Sequence, residues 1–107
     1  MDTNRDADRW GALGDGTRLA IVARLAERPQ AVGQLAAGLP VSRSAVSQHL
    51  KILKDAGLVE DVAAGTRRIY RLNPAALAAL RDQLDTYWQR ALAGYAQAAE
   101  APDEEGQ

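Results

Sequence analysis

Ser42, Arg43, Ser44, Ser47, Gln48, Lys51 and Lys54 fall within one short stretch, Val41–Val59. Hydroxyls, an amide and cations of this kind donate to phosphate oxygens and to base edges. Stepping about 100° per residue separates the stretch into two arcs. Ile52, Ala45, Ala56, Leu53, Val46 and Leu50 fill one. Arg43, Lys54, Ser47, Lys51, Ser44, Asp55 and Gln48 fill the other. A helix with one apolar and one donor-rich face is suited to lie in a DNA groove. Gln48 could bond adenine through two atoms, and Arg43 could bond guanine or a phosphate. Lys54, further back, faces phosphate or water.

Other chemistries fit poorly. Ser47, His49 and Asp55 invite a nucleophile reading, but Ser47 and His49 point about 200° apart on a helix. His49 is the single histidine. It falls in the apolar arc between Ala56 and Leu53, so a half-buried structural role is expected rather than a DNA contact or a pH sensor. One histidine cannot build a zinc site. Asp82 and Asp85 are two carboxylates without a histidine beside them, weak ligands for a transition metal. The chain has no cysteine, which removes disulfides, thiolate metal sites and thiol redox chemistry together. No glycine-rich phosphate loop or cofactor fingerprint occurs, so neither an enzyme nor a cofactor is expected.

Elements must hold that stretch in place. Ser42 suits an N-cap and Gly57 a left-handed C-terminal stop. Before it, Ala7–Leu13 reads as a short helix carrying Trp10. Gly14-Asp15-Gly16 breaks the chain, and Asp15 can cap a second helix ending at Arg28-Pro29. That helix is expected to bury Leu19, Val22 and Leu25, supported by Ile21 and Ala26. Ala31–Leu39 reads as a third helix, closed by Gly38 and Pro40. Two helices joined by a tight turn, the second bearing the polar face, make a helix-turn-helix.

After Gly57 the period changes to two. Leu58–Val62 and Arg67–Leu72 read as strands joined by Ala63-Ala64-Gly65-Thr66, a hairpin wing with Arg67 and Arg68 beside its turn. Asn73-Pro74 then starts a long helix reaching about Ala99. Leu77, Leu80, Leu84, Tyr87, Trp88, Leu92 and Tyr95 recur along it at three- and four-residue steps. That is more apolar surface than so small a core covers. A dimer interface made by these residues, together with Trp10, is the economical reading.

The 107 residues suit one domain. Residues 1–6 are expected to be a flexible N-terminus, 7–99 a DNA-binding and dimerisation domain, and 100–107 an acidic flexible tail. No apolar run is long enough for a membrane span, and the first residues lack the shape of a signal peptide. A cytoplasmic location is expected. Net charge is −1 overall, but residues 41–72 carry +3 and residues 73–107 carry −4. Local charge, not the total, decides attraction to phosphate.

The order of elements resembles the ArsR family of bacterial winged-helix repressors. Leu13-Gly14-Asp15-Gly16-Thr17-Arg18 is similar to that family's start of the second helix, although the family's common proline after the aspartate is Gly16 here. Val41-Ser42, Ala45-Val46-Ser47, His49-Leu50, Leu53 and Ala56-Gly57-Leu58-Val59 match its recognition-helix pattern, and Gly65, Arg67, Tyr70 and Leu72 its wing. The likeness runs over about residues 8–95. It implies a mainly α fold with a small β-hairpin, a winged helix-turn-helix in the order α-α-α-α-β-β-α. It also implies a homodimer on a roughly palindromic double-stranded operator, with the protein's own promoter among the expected targets. The family's cysteine-bearing metal motif would fall near Ala31–Leu39 and is missing. So are histidines on the last helix, which points to a metal-independent branch. No effector is indicated.

The expected DNA contacts are Ser42, Arg43, Ser44, Ser47, Gln48, Lys51, Arg67 and Arg68. A second reading, in which the wing and polar face bind a protein instead, stays open because winged helices serve both purposes. The cations favour DNA.

Overall fold

The computed structural model describes residues 2–100, with side chains described from residue 8 to residue 99. The elements in order are α1 (Asp2–Leu13), α2 (Gly16–Glu27), β1 (Gln30–Ala31), α3 (Val32–Ala37), α4 (Arg43–Asp55), β2 (Val59–Ala64), β3 (Arg67–Leu72) and α5 (Pro74–Glu100). The architecture is a winged helix-turn-helix, mainly helical, with α3 and α4 forming the helix pair and β2–β3 the wing.

Two boundaries differ from the sequence reading. α1 begins at Asp2 rather than Ala7, so the residues expected to be loose are helical from Asp2 onward. The expected order also lacked a strand. Gln30 and Ala31 pair with β3 rather than opening the third helix, giving a three-stranded antiparallel sheet in the order β1-β3-β2. The acidic tail beyond Glu100 lies outside the described residues.

Local chemistry fixes most helix ends. The Asp15 carboxylate accepts from the Arg18 backbone N–H at 3.0 Å and caps α2. That hydrogen bond, above all, holds its pKa below the ordinary value. At the other end of α2, Gln30 is buried and its Nε2 donates to the Arg24 carbonyl at 2.8 Å. The Ser42 hydroxyl accepts from the Ala45 N–H at 3.1 Å and caps α4. α4 ends in a Schellman turn: Gly57 N–H donates to the Lys54 carbonyl and Leu58 N–H to the Leu53 carbonyl, both at 2.9 Å. Gly57 sits at φ +82°, a conformation that side chains bearing a Cβ rarely adopt. Asn73 caps α5 by accepting from Ala75 N–H at 3.0 Å, and its own Nδ2 donates to the Gly57 carbonyl at 3.2 Å.

Contacts divide the chain into two units, Met1–Leu77 and Ala78–Gln107. The core of the first consists of Ile21 and Leu25 from α2, Leu35 from α3, Val46, Leu50 and Leu53 from α4, and Leu58 and Val59 entering β2. The stripe expected on α2 is rotated. Ile21 and Leu25 are buried, Val22 is half-buried, and Leu19 is 53% exposed. Both apolar sets fit helical spacing, and the fold buries the one built on Ile21 and Leu25. The second unit is the body of α5.

Candidate nucleic-acid interface

Ser42, Arg43, Ser44, Ser47, Gln48 and Lys51 are all exposed along α4. The opposite face carries Val46, Leu50 and Leu53, which have no exposed surface. The helix is therefore oriented by its core residues, and its donor-rich face is the outward one. Ile52, at the edge of the apolar arc, is 43% exposed and joins Asp8, Gly11 and Arg18 around a shallow cavity of about 270 Å³.

The wing is set by its turn and by two ladders. Ala64 pairs with Arg67, leaving Gly65-Thr66 as a two-residue loop. Gly65 has φ +65° and Thr66 does not have positive φ, the type II′ pattern that matches strand twist. On the other edge of β3, Ala31 pairs with Ile69 and Gln30 with Tyr70. That pairing draws the wing against the start of α3. Arg67 and Arg68 are exposed.

Not all the cations are equally available. Lys51 Nζ lies 2.8 Å from Asp55 Oδ2, one turn along the same exposed face. Exposed pairs of this kind contribute little and exchange readily for a phosphate. Asp61 accepts from two partners: Lys54 Nζ reaches Oδ1 at 2.8 Å, and Arg68 NH1 reaches Oδ2 at 2.9 Å. The carboxylate itself has only 6% of its side-chain surface exposed. Its pKa lies below the ordinary value, through the Lys54 hydrogen bond first and then the charges of Lys54 and Arg68, with desolvation opposing. Arg71 pairs with Glu60 on the neighbouring strand at 2.8 Å. Among the described residues, Arg43 and Arg67 form no ion pair.

Arg43, Arg67 and Arg68 border a common space. A cleft of about 250 Å³ separates the start of α4 from the wing, with Gly33 and Arg43 on one side and Thr66, Arg67 and Arg68 on the other. The Arg43 guanidinium lies over Gly33, its carbon 3.6 Å from where a Cβ would stand. The sequence reading put Arg43 with the recognition helix and the other two with the wing. The β1–β3 pairing joins the two groups.

His49 is half-buried, and its Nδ1 lies 3.3 Å from NH1 of Arg18, whose Nε donates to the Ala12 carbonyl at 2.6 Å. The histidine thus links α4 to the α1–α2 junction, on the inward side where the arc had put it. The residues assigned to a dimer interface divide by exposure. Trp10 and Leu77, in the first unit, are half-buried. In the second unit Leu80 is 6% exposed within the single chain, so it offers little surface to a partner. Leu84, Tyr87, Trp88, Leu92 and Tyr95 are between 47% and 75% exposed.

Sequence reasoning missed Asp61, Gly33, Thr66 and Gln30. Asp61 falls in the expected strand Leu58–Val62 with no site role given to it. Its position in β2 opposite Tyr70, with Arg68 two residues before that partner, was the available signal.

Comparison with known proteins follows the same lines. The profile of the bacterial regulatory protein, arsR family, matches residues 15–61. The chain is 66% identical over 98 residues to the HTH-type transcriptional regulator Rv2034 of Mycobacterium tuberculosis, covering 91% of this chain and 92% of that protein. An ArsR-like transcriptional regulator from Rhodococcus sp. RHA1 superposes with a TM-score of 0.75 at 36% identity, over 94% of this chain and 98% of that one. A homodimeric winged helix-turn-helix DNA-binding domain, Mb0332 from Mycobacterium bovis, superposes at 0.66 with 28% identity, over 94% and 89%. These relatives bear the names of regulators, not of enzymes.

Proposed function

The chain belongs to the arsR family of bacterial regulatory proteins, and from that premise we propose that it works as a homodimeric, sequence-specific repressor of transcription. The observation that carries this reading is the outward donor face of α4 set beside the arginines of the wing. Residues 7–99 carry both DNA binding and dimerisation. Each protomer inserts α4 in a major groove, and a two-fold dimer reads a palindrome whose half-sites lie about one helical turn apart. Gln48, Ser44 and Ser47 face base edges, while Lys51, Arg67 and Arg68 meet the backbone. A dimer seated on a promoter, its own among them, excludes polymerase. The protein acts in the cytoplasm, and among the described residues no helix is long and apolar enough to cross a membrane.

Pairing runs through the exposed stripe of α5, Leu84, Tyr87, Trp88, Leu92 and Tyr95, aided by Trp10 and Leu77. Five large apolar side chains held in water on one helix face are surface that association removes. The protein belongs to the metal-independent branch of its family: it has no cysteine and one histidine, and that histidine is engaged with Arg18.

The test is binding to the gene's upstream region and to duplexes selected from a random pool, read by fluorescence anisotropy with competitor DNA. Enrichment of a two-fold symmetric sequence supports the proposal. Absence of any specific duplex at low salt, with capture of a protein by the same face, would replace it with an interaction module.

A further inference from the structure

We propose that the cleft between the start of α4 and the wing is a phosphate clamp, in which Arg43 and Arg67 together hold one phosphodiester of the DNA backbone, with Arg68 at its edge. This rests on the DNA-binding reading and gives Arg43 a different job from its neighbours on α4.

Three arginine residues line one concavity, and no carboxylate lines it with them. Arg43 and Arg67 have no ion-pair partner among the described residues. Arg68 spends one nitrogen, NH1, on Asp61 and keeps its remaining donors. Cations that share a cleft repel one another unless an anion sits between them. A guanine edge offers two acceptors and no charge, enough for one guanidinium. A phosphodiester offers a full charge and two non-bridging oxygens, each accepting from more than one direction, so it satisfies several.

The walls suit the same ligand. The Arg43 guanidinium lies beside Gly33, its carbon 3.6 Å from where a Cβ would stand. Thr66 adds a hydroxyl at the rim. The pairs Ala31–Ile69 and Gln30–Tyr70 hold the two walls together, so the cleft is part of the fold rather than formed on binding. Because it joins helix and wing, a phosphate seated there fixes how deeply α4 enters the groove. Base reading is left to Gln48 and the serines.

The test uses the selected duplex with a single neutral methylphosphonate placed at each backbone position in turn. For the unmodified protein, one position per half-site should lower affinity about tenfold or more, the scale of a lost charge-assisted contact. Arg43→Ala and Arg67→Ala should each cause a comparable loss on the natural duplex and flatten the salt slope by about one ion per protomer. Both should have under about a twofold effect on the duplex already neutralised at that phosphate, and the double variant should lose less than the product of the singles. Base preference should stay unchanged.

The clamp is overturned if Arg43→Ala alters preference at one base pair, or if its loss is the same at every methylphosphonate position. In either case DNA binding itself stands. If no duplex is selected at all, the parent reading fails with it. All three arginines are exposed, and unchanged melting temperatures of the variants separate lost contacts from lost folding.

Discussion

Replacing Asp61 by asparagine should make the protein bind random DNA more tightly and more salt-dependently. Asp61 bridges Lys54 and Arg68 at 2.8 and 2.9 Å. At neutral pH the three groups sum to one positive charge, and Asp61→Asn raises that to two. In a dimer two further cations become available to phosphates. Each neutralised phosphate adds about 0.9 to the slope of log K against log salt, so the slope should steepen by about 1.8. Between 50 and 200 mM salt this difference amounts to about a twelvefold extra loss of affinity. The gain at low salt should exceed any gain on the specific duplex, so discrimination falls. Anisotropy titrations of one labelled random duplex and one selected duplex across salt measure both. A slope for random DNA that is unchanged or shallower would refute the reasoning. It would mean that Asp61 serves to aim Arg68 rather than to restrain it. The same variant has a pH signature. Asp61 has a lowered pKa in the fold, so its contribution to stability is full above the ordinary carboxylate value of 3.8 and fades as pH falls through the lowered one. The parent protein should melt above the variant at pH 7, and the two should converge in acid.

Ser42→Ala should lower stability by about 1 kcal/mol through loss of the cap to Ala45, whereas Ser42→Asp should keep the cap and weaken DNA binding by adding a negative charge to the interface; thermal unfolding and anisotropy separate the two. Leu50→Ala, at a site with no exposed surface, should cost about 2–5 kcal/mol by denaturant titration. Trp88→Glu places a charge in the exposed stripe of α5. Sedimentation should show monomer at concentrations where the parent protein is a dimer, with helix content retained. Elemental analysis of the purified protein should find no stoichiometric transition metal.

Signals carried by neighbouring residues were legible in the sequence. Asp15, Ser42, Gly57 and Asn73 set helix ends through bonds spanning a few residues, and each stands where its type demands. The two faces of α4 were legible for the same reason, down to the inward placement of His49. Features decided by distant parts of the chain were not. β1 is two residues long and has no periodicity of its own; its partners Tyr70 and Ile69 lie far along the sequence. On α2, Leu19 and Ile21 are both apolar and both fit a helical stripe, so only packing against the rest of the fold chose between them. The cations of α4 and the wing were legible as a set of residues, but not their division into paired and unpaired ones. Asp61 becomes a restraint only once the wing folds Arg68 back beside it and the end of α4 brings Lys54 to the same carboxylate.

The short strand β1 also bears on the timing of association. A hairpin tethered only at its base would explore many orientations, and each encounter with DNA would wait for the wing to find its place. With β3 paired on both edges near Ile69 and Tyr70, that search is completed during folding. The ordering entropy of the wing is then absent from the binding step. Association becomes limited by diffusion and electrostatic attraction, and the lifetime of the complex depends on contacts already in position.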